Sequence, residues 1–328
     1  MSRRFAGIAL IAALALLGIA APFCAPNDPR LQYDLAYAPP MRPHVIAADG
    51  SFTRPFIYPL VISSPLQRLE RTFEVDTAHP APISFFDNGR LATTGSTSPW
   101  FVLGGDPLGR DVFSRLAHGA RLSLSVALTA TLMAILVGGL AGAIAGYASG
   151  FVDRAIMSVA DFVVILPAAY VVVTLRSAMP LRLSTTTVFW TIVLVLAAAS
   201  WPIPARGVRA IVSAERSQTY AESAYAVGAS PLRILLRHLL PAARGHLAMQ
   251  AFLLFPAFIL AEATLSYLGL GFAEPAASWG VMLRDAANVS DITEAPWILS
   301  PAAAIVIAVL ATHFVIADSG TDAAGIRF

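Results

Sequence analysis

Lysine is absent from the 328 residues; all 22 basic side chains are arginine. That absence excludes a phosphate-binding loop of the G-x-x-x-x-G-K-[ST] type, whose lysine reaches the β- and γ-phosphates, and any enzyme that forms a Schiff base on a lysine amine. Charge of either sign is scarce. Only 13% of residues are charged and 57% are hydrophobic, against about 25% charged in a soluble domain. With 20 acidic residues the formal charge is +2, which provides no global basic field for nucleic acid. The single cysteine, Cys24, allows no internal disulfide, so redox compartment is not legible from it. Neither G-x-S-x-G nor H-E-x-x-H occurs, and His44, His79, His118, His238, His246 and His313 show no metal-ligand spacing. No catalytic residue, metal or cofactor is assigned.

Long apolar runs occupy the chain instead. Residues 5–25 carry no charge, and a bilayer core of about 30 Å needs about 20 helical residues. The same test selects residues 122–152, 155–175 with Asp161 inside, 183–205, 247–270 with Glu262 inside, and 295–317. These runs predict an all-α integral membrane protein with six transmembrane helices. Pro167, Pro202, Pro204, Pro256 and Pro301 fall within or at the ends of the runs and predict kinks, since buried neighbours can satisfy the carbonyls that proline frees. Arg3 and Arg4 ahead of the first run also match the start of a secretory signal peptide. The length of that run, and Ala21-Pro22-Phe23 before Cys24, favour an uncleaved anchor.

Short loops rich in arginine face the cytoplasm. Placing the N-terminus inside puts Arg3, Arg4, Arg154, the six arginines of residues 206–244, and Arg327 on the cytoplasmic side, against Arg176, Arg182 and Arg284 outside. Both termini are then cytoplasmic. The resulting division is an anchor over 1–25, an extracytoplasmic segment over 26–121, a membrane core over 122–318 with a cytoplasmic loop over 206–246, and a tail over 319–328. The outer segment holds 12 of the 23 prolines and reads as an extended excursion with short strands or turns at most. Its aromatics, including Tyr33, Tyr37, Phe52, Phe56, Tyr58, Phe85, Phe86 and Trp100, argue against full disorder.

Two patterns stand out in the core. Ala130, Ala134, Gly138, Gly142 and Gly146 repeat at spacing four, which aligns small residues on one helix ridge and lets a neighbouring backbone approach closely. That neighbour is either in this subunit or in a second one. In the cytoplasmic loop, Thr219 with Glu222 reads as a capping box, Gly228 as a left-handed helix stop, and Ser230-Pro231 as the start of another helix. The two-turn helix between them is marginal on its own. It is expected to project Tyr220, Ala221, Ala224, Tyr225 and Val227 into a groove on a soluble partner, or else to lie on lipid headgroups.

The loop resembles a known family. Glu222-x-Ala224-x-x-x-Gly228 followed by Leu240-Pro241 is similar to the EAA loop of membrane subunits of bacterial ABC importers. Further stretches resemble the peptide/nickel branch, specifically dipeptide or oligopeptide permeases of the C type. These stretches are Leu103-Gly-Gly-Asp106-Pro-Leu-Gly109-Arg110-Asp111-Val-Phe-Ser-Arg115, Gly119-Ala-Arg121, Glu262-Ala-Thr-Leu-Ser266-Tyr-Leu-Gly269-Leu-Gly271, and Pro275-Ala-Ala-Ser278-Trp279-Gly280. Ser223 replaces the middle alanine, His238 stands where the general pattern has isoleucine, and Gly105 replaces a more usual threonine. The tail lacks the expected Leu-Arg-Asp run.

The resemblance implies an importer subunit that pairs with a homologous second permease, two cytoplasmic ABC ATPase subunits and an extracytoplasmic solute-binding protein, in the bacterial inner membrane. It implies di- or oligopeptides, nickel chelates or related solutes as cargo. Tyr220, Ala221, Glu222, Ala224, Tyr225, Gly228, Leu240 and Pro241 would form the ATPase-binding coupling element. Ala134, Gly138, Gly142 and Gly146 would be helix-packing positions, and Asp106, Gly109, Arg110, Asp111, Trp279 and Gly280 family motif residues without an assigned role. The chain would not be an enzyme. The competing class is an ion-coupled secondary transporter using Asp161 and Glu262, because ionisable residues inside spans are functional candidates by default.

Overall fold

A computed structural model describes residues 3–46, 51–63, 72–95, 98–166, 170, 171, 174 and 183–323. Pro167, Arg176, Arg182, Arg327 and much of the end of the third apolar run lie outside the described residues. In chain order the helices are α1 (Arg3–Ile19), α2 (Ala21–Cys24), α3 (Val112–Ala148), α4 (Gly150–Ile165), α5 (Thr185–Ser200), α6 (Pro202–Arg216), α7 (Thr219–Ala226), α8 (Pro231–Ile234), α9 (Arg244–Tyr267), α10 (Trp279–Asp285), α11 (Val289–Glu294) and α12 (Ser300–Ala323). Among the described residues between α2 and α3 run seven short strands, β1 (His44–Ile46), β2 (Phe52–Ile57), β3 (Leu60–Ile62), β4 (Phe73–Val75), β5 (Ala81–Pro82), β6 (Ser84–Asp87) and β7 (Arg90–Thr93). The helices dominate, so the all-α expectation describes the spans, while the outer segment adds strands.

Among the described residues three helical stretches are long and apolar enough to cross a bilayer: Val112–Ala148, Pro231–Tyr267 and Pro296–Ile316. A fourth is the pair α5 and α6, bent by 42°. The bend has a local cause, since Pro202 and Pro204 follow Trp201 and cannot donate into the preceding turn. The first run forms the 17-residue α1 and, after a turn at Ala20, the four residues of α2. Ser149 and Gly150, both at positive φ, break the second run between α3 and α4. Residues 231–243 stay helical but change pitch, with a π turn at Leu235–Leu239 and a 3₁₀ turn at Leu240–Ala243. Pro241 accounts for this, because its missing N–H and its ring disrupt a regular α-ladder at that point.

The chain divides into two compact units, Met1–Leu124 with Ala263–Asp318, and Ser125–Glu262 with the tail from Ser319. In the first unit the strands make three small antiparallel sheets, ordered β1-β2-β5, β3-β4 and β6-β7. Leu35, Ala38, Met41, Ile57, Ile83 and Phe101 form their shared core, with Tyr33 and Trp100 against it. The aromatics of the outer segment thus divide: Phe56 is buried, whereas Phe52, Phe85 and Phe86 are exposed. Strands β6 and β7 join through Asn88-Gly89, both at positive φ, as a two-residue I′ hairpin turn requires.

The second unit is organised on α3. Ala130, Ala134, Gly138, Gly142 and Gly146 are all buried, whereas Leu128, Leu132, Leu136, Leu140 and Ile144, offset by two residues and so about 200° around the helix, are all exposed. The glycines meet α6 and the residue before it. A Cβ on Gly138 would lie 2.6 Å from the Trp201 carbonyl oxygen, on Gly142 2.3 Å from that of Ala205, and on Gly146 2.6 Å from that of Arg209. Backbone thus touches backbone along three turns, an approach that any larger residue prevents.

Candidate functional sites

The loop between α6 and α9 has its own core. Ala221, Ile234, Leu235, Leu239 and Ala243 pack with Val208 and Val212 of α6 and Ala143 of α3, with Ala224 and Leu240 partly buried against them. This corrects the expectation that Ala221 projects outward. A two-turn helix must bury one face to persist, and Ala221 and Ala224, three residues apart, supply that face. Outside that face, Val227, just past the C-terminal end of α7, is 89% exposed, and Tyr220 is 43% exposed with its hydroxyl bonded within the subunit. Glu222 and Tyr225 lie on α7 by their backbone positions.

Local bonds fix the shape of this loop. Helix α7 begins at Thr219 itself, one residue earlier than a cap at Thr219 would allow. It ends at Gly228, φ +86°, with the Ala229 N–H donating to the Ala224 carbonyl at 3.1 Å, the six-to-one bond of a Schellman stop. Ser230 precedes Pro231 in extended conformation but makes no side-chain cap. The Tyr220 hydroxyl donates to Glu215 Oε2 at 2.6 Å, and the carboxylate beside it pushes the phenol up to about 12. Arg216 donates to the Tyr147 carbonyl at 2.6 Å and to Ser149 Oγ at 2.8 Å. Arg209 pairs with Asp153, and Arg206 with Asp161 at 2.7 Å. Asp161 therefore meets Arg206, whereas Arg154 donates to the Gly150 carbonyl. Glu262 is fully buried in the second unit.

The motif residues of the first unit form a separate site. Asp106 Oδ1 accepts the Leu108 and Arg110 N–H groups at 2.9 Å each, and its Oδ2 accepts Arg110 Nε at 2.6 Å. This closes a tight loop in which Gly109 sits at φ +72°; a Cβ there would lie 1.9 Å from the Tyr33 carbonyl oxygen. Asp111 caps α3, accepting from Phe113 N, Ser114 N and the Ser114 hydroxyl, and Asn27 Nδ2 donates to it at 3.0 Å. Burial pushes Asp111 up to about 6 against those four donors.

Arg110 and Arg115, both almost fully buried, then reach Glu274, Arg115 Nη2 at 2.9 Å. Burial raises the Glu274 carboxyl, but the bonds from Arg115 and Arg110 outweigh it and hold the group below its usual range. Asp285 stands farther off, 3.6 Å from Arg110 and 4.0 Å from Arg115. Burial lifts it to about 6, with the two arginines opposing and Asp106 and Glu274 adding repulsion. Trp279, fully buried, donates from its indole to the Leu116 carbonyl and from its backbone to Ser123 Oγ, both at 3.2 Å. Gly280 lies against α9, where a Cβ would be 2.4 Å from the Ala263 carbonyl oxygen.

The structure thus brings Asp106, Gly109, Arg110 and Asp111 into one clasp and sets Trp279 and Gly280 on α10, which carries Asp285. Sequence reasoning did not single out Asn27, Glu274 or Asp285, whose roles depend on contacts more than 80 residues away in the chain. Among the described residues no group of three His, Cys, Asp or Glu side chains is arranged to hold a metal.

Comparison with known proteins agrees with this architecture. Residues 138–319 match the family described as binding-protein-dependent transport system inner membrane component. The chain is 34% identical over 263 residues, 80% of its length and 84% of the relative's, to a Brucella ovis protein named as a peptide permease protein. It is 34% identical over 228 residues, 70% and 72% of the two lengths, to the oligopeptide transport system permease protein OppC of Bacillus subtilis. A matched family segment covering more than half of the chain, apolar helices of spanning length and relatives aligned over most of both lengths lead to one conclusion: the chain belongs to the inner membrane components of binding-protein-dependent transport systems.

Proposed function

We propose that this chain is one of two permease subunits of an ATP-driven ABC importer for di- or oligopeptides, with six spans and both termini in the cytoplasm. A homologous permease completes the path, two ATPase subunits act from the cytoplasm, and a solute-binding protein delivers cargo outside. Peptide cargo is supported by the names of the relatives at 34% identity. In this reading residues 1–25 are an anchor, 26–121 an extracytoplasmic segment, 122–318 the permease core and 319–328 a cytoplasmic tail.

The observation that carries the mechanism is the fold of the loop between α6 and α9. Tyr220 of α7 and Val227 just beyond its end are exposed, while Ala221 and Ala224 seat the helix on α6. Closure of the ATPases around that exposed side would displace α7. The loop core, with Arg216 and Arg209 tied to the end of α3 and to α4, would pass the displacement to the spans as a rigid-body motion. The small-residue ridge of α3 serves this transfer, since direct backbone contact with α6 leaves little slack. The lysine-free chain carries no P-loop, which supports placing ATP hydrolysis on partner subunits.

Reconstitution of the assembled transporter in proteoliposomes tests the reading. Uptake of a peptide presented by the binding protein should require ATP and persist with a protonophore. Uptake that survives ATP depletion and collapses with the protonophore would instead place the driving force on ionisable groups such as Asp161 and Glu262.

A further inference from the structure

The hairpin of β6 and β7 holds two large aromatics in the open: Phe85 is 54% and Phe86 73% exposed. Neighbouring exposed aromatics are the informative exception on a folded surface, where large apolar groups ordinarily find cover. Phe86 also sits at φ +56°, a strained conformation for a bulky residue. The hairpin meets α2 and the residues that follow it. The ring of Phe86 lies 6.2 Å from that of Phe23 in α2, and Arg90 of β7 donates to the Pro26 carbonyl at 2.7 Å.

Two boundaries locate that place relative to a bilayer. Gly18 of α1 packs on Arg121, where a Cβ would lie 2.9 Å from the backbone nitrogen, and Arg121 is the last charged residue before the apolar run of α3 begins at Leu122. The level of Gly18 is therefore the edge of the hydrocarbon. Phe23, five residues farther along and past the turn at Ala20, lies near the end of the uncharged run of residues 5–25, which places it by the headgroup layer that borders the core for about 5–7 Å on each side. Exposed aromatic rings are at home there, with an apolar body against acyl chains and polar neighbours in water. Asp87 and Asn88, exposed at the turn, are suited to the same layer.

We propose that the β6–β7 hairpin rests on the outer-leaflet surface and inserts Phe85 and Phe86 among the lipids beside Phe23, so that the extracytoplasmic segment is anchored to the bilayer at a second point. The inference rests on the reading of α1 as a span. Single cysteines in a Cys24→Ser background, spin-labelled in the assembled transporter in vesicles of phosphatidylethanolamine and phosphatidylglycerol, test it. Phe86→Cys should show at least threefold less access to a water-soluble nickel complex than His79→Cys, with oxygen access approaching that of Leu16→Cys, a lipid-facing marker on α1. Phe85→Cys supplies the same readout should the first variant misfold. Nickel access at 86 equal to that at 79, with Leu16 still lipid-like, would overturn the anchoring while leaving the span intact. Protection at 86 from both reagents would overturn it in favour of a protein covering the tip. A water-exposed Leu16 would remove the span reading together with the anchor.

Discussion

Asp106→Ala is expected to cost the first unit about 3–5 kcal/mol, the range for removing one partner from a buried charge network. The size follows from what the carboxylate holds. It receives two backbone N–H groups at 2.9 Å and Arg110 Nε at 2.6 Å, and it lies 3.4 Å from Arg115 Nε, with almost no solvent in reach of any of them. Alanine leaves two buried guanidiniums facing Glu274, which is 40% exposed, and the more distant Asp285. Asp106→Asn retains an acceptor for the backbone and should fall between wild type and alanine. In detergent-solubilised transporter the melting temperature should drop by roughly 6–20 °C for alanine, on the shift per kcal/mol expected of a domain of 150–250 residues. An unchanged melting curve would mean that the clasp contributes nothing to stability.

Gly228→Val is expected to abolish uptake while the subunit still inserts in the membrane. No atom lies within 4 Å of a Cβ built at this position, so the effect cannot arise from a clash. It arises from φ +86°, where an L-residue pays about 1–2 kcal/mol and a β-branched one more. Valine would leave the left-handed region, open the bond from Ala229 to Ala224, and redirect the chain between α7 and α8. Because α7 is only eight residues long, it has little other means of keeping its place. Gly228→Asn, which tolerates the left-handed region, should retain most uptake. Comparison of uptake and ATP hydrolysis in reconstituted transporter distinguishes the two variants; full uptake by Gly228→Val would remove the loop from the mechanism.

What could be read from the sequence was whatever repeats or punctuates locally. The spacing-four ridge on α3 is legible because small residues recur at the helical period, and the larger stripe two residues away implies which side they face. Gly228 and Ser230-Pro231 are local signals as well. Ser149-Gly150 and Asn88-Gly89 carry signals of the same kind, a break and a hairpin turn, but the surrounding apolar run concealed the first and the density of proline the second. The orientation of α7 is a different matter. Whether Ala221 faces a partner or its own subunit depends on Val208, Val212, Ile234 and Leu235 arriving beside it, and no window of eight residues contains that fact. The clasp is similarly distributed, with Arg115 and Glu274 separated by 159 positions.

Force transfer requires the exposed side of the α7 turn to meet an ATPase subunit. Cys24 is the sole native thiol of the chain, so Val227→Cys with Cys24→Ser gives one reactive site at the exposed residue that follows α7. In membranes containing the assembled transporter, a short bismaleimide should join position 227 to a cysteine in the cleft of the ATPase subunit, with a yield that changes on ATP binding. Assembled, transport-competent complexes in which position 227 reacts only with small thiol reagents, and never with the ATPase in any nucleotide state, would contradict it.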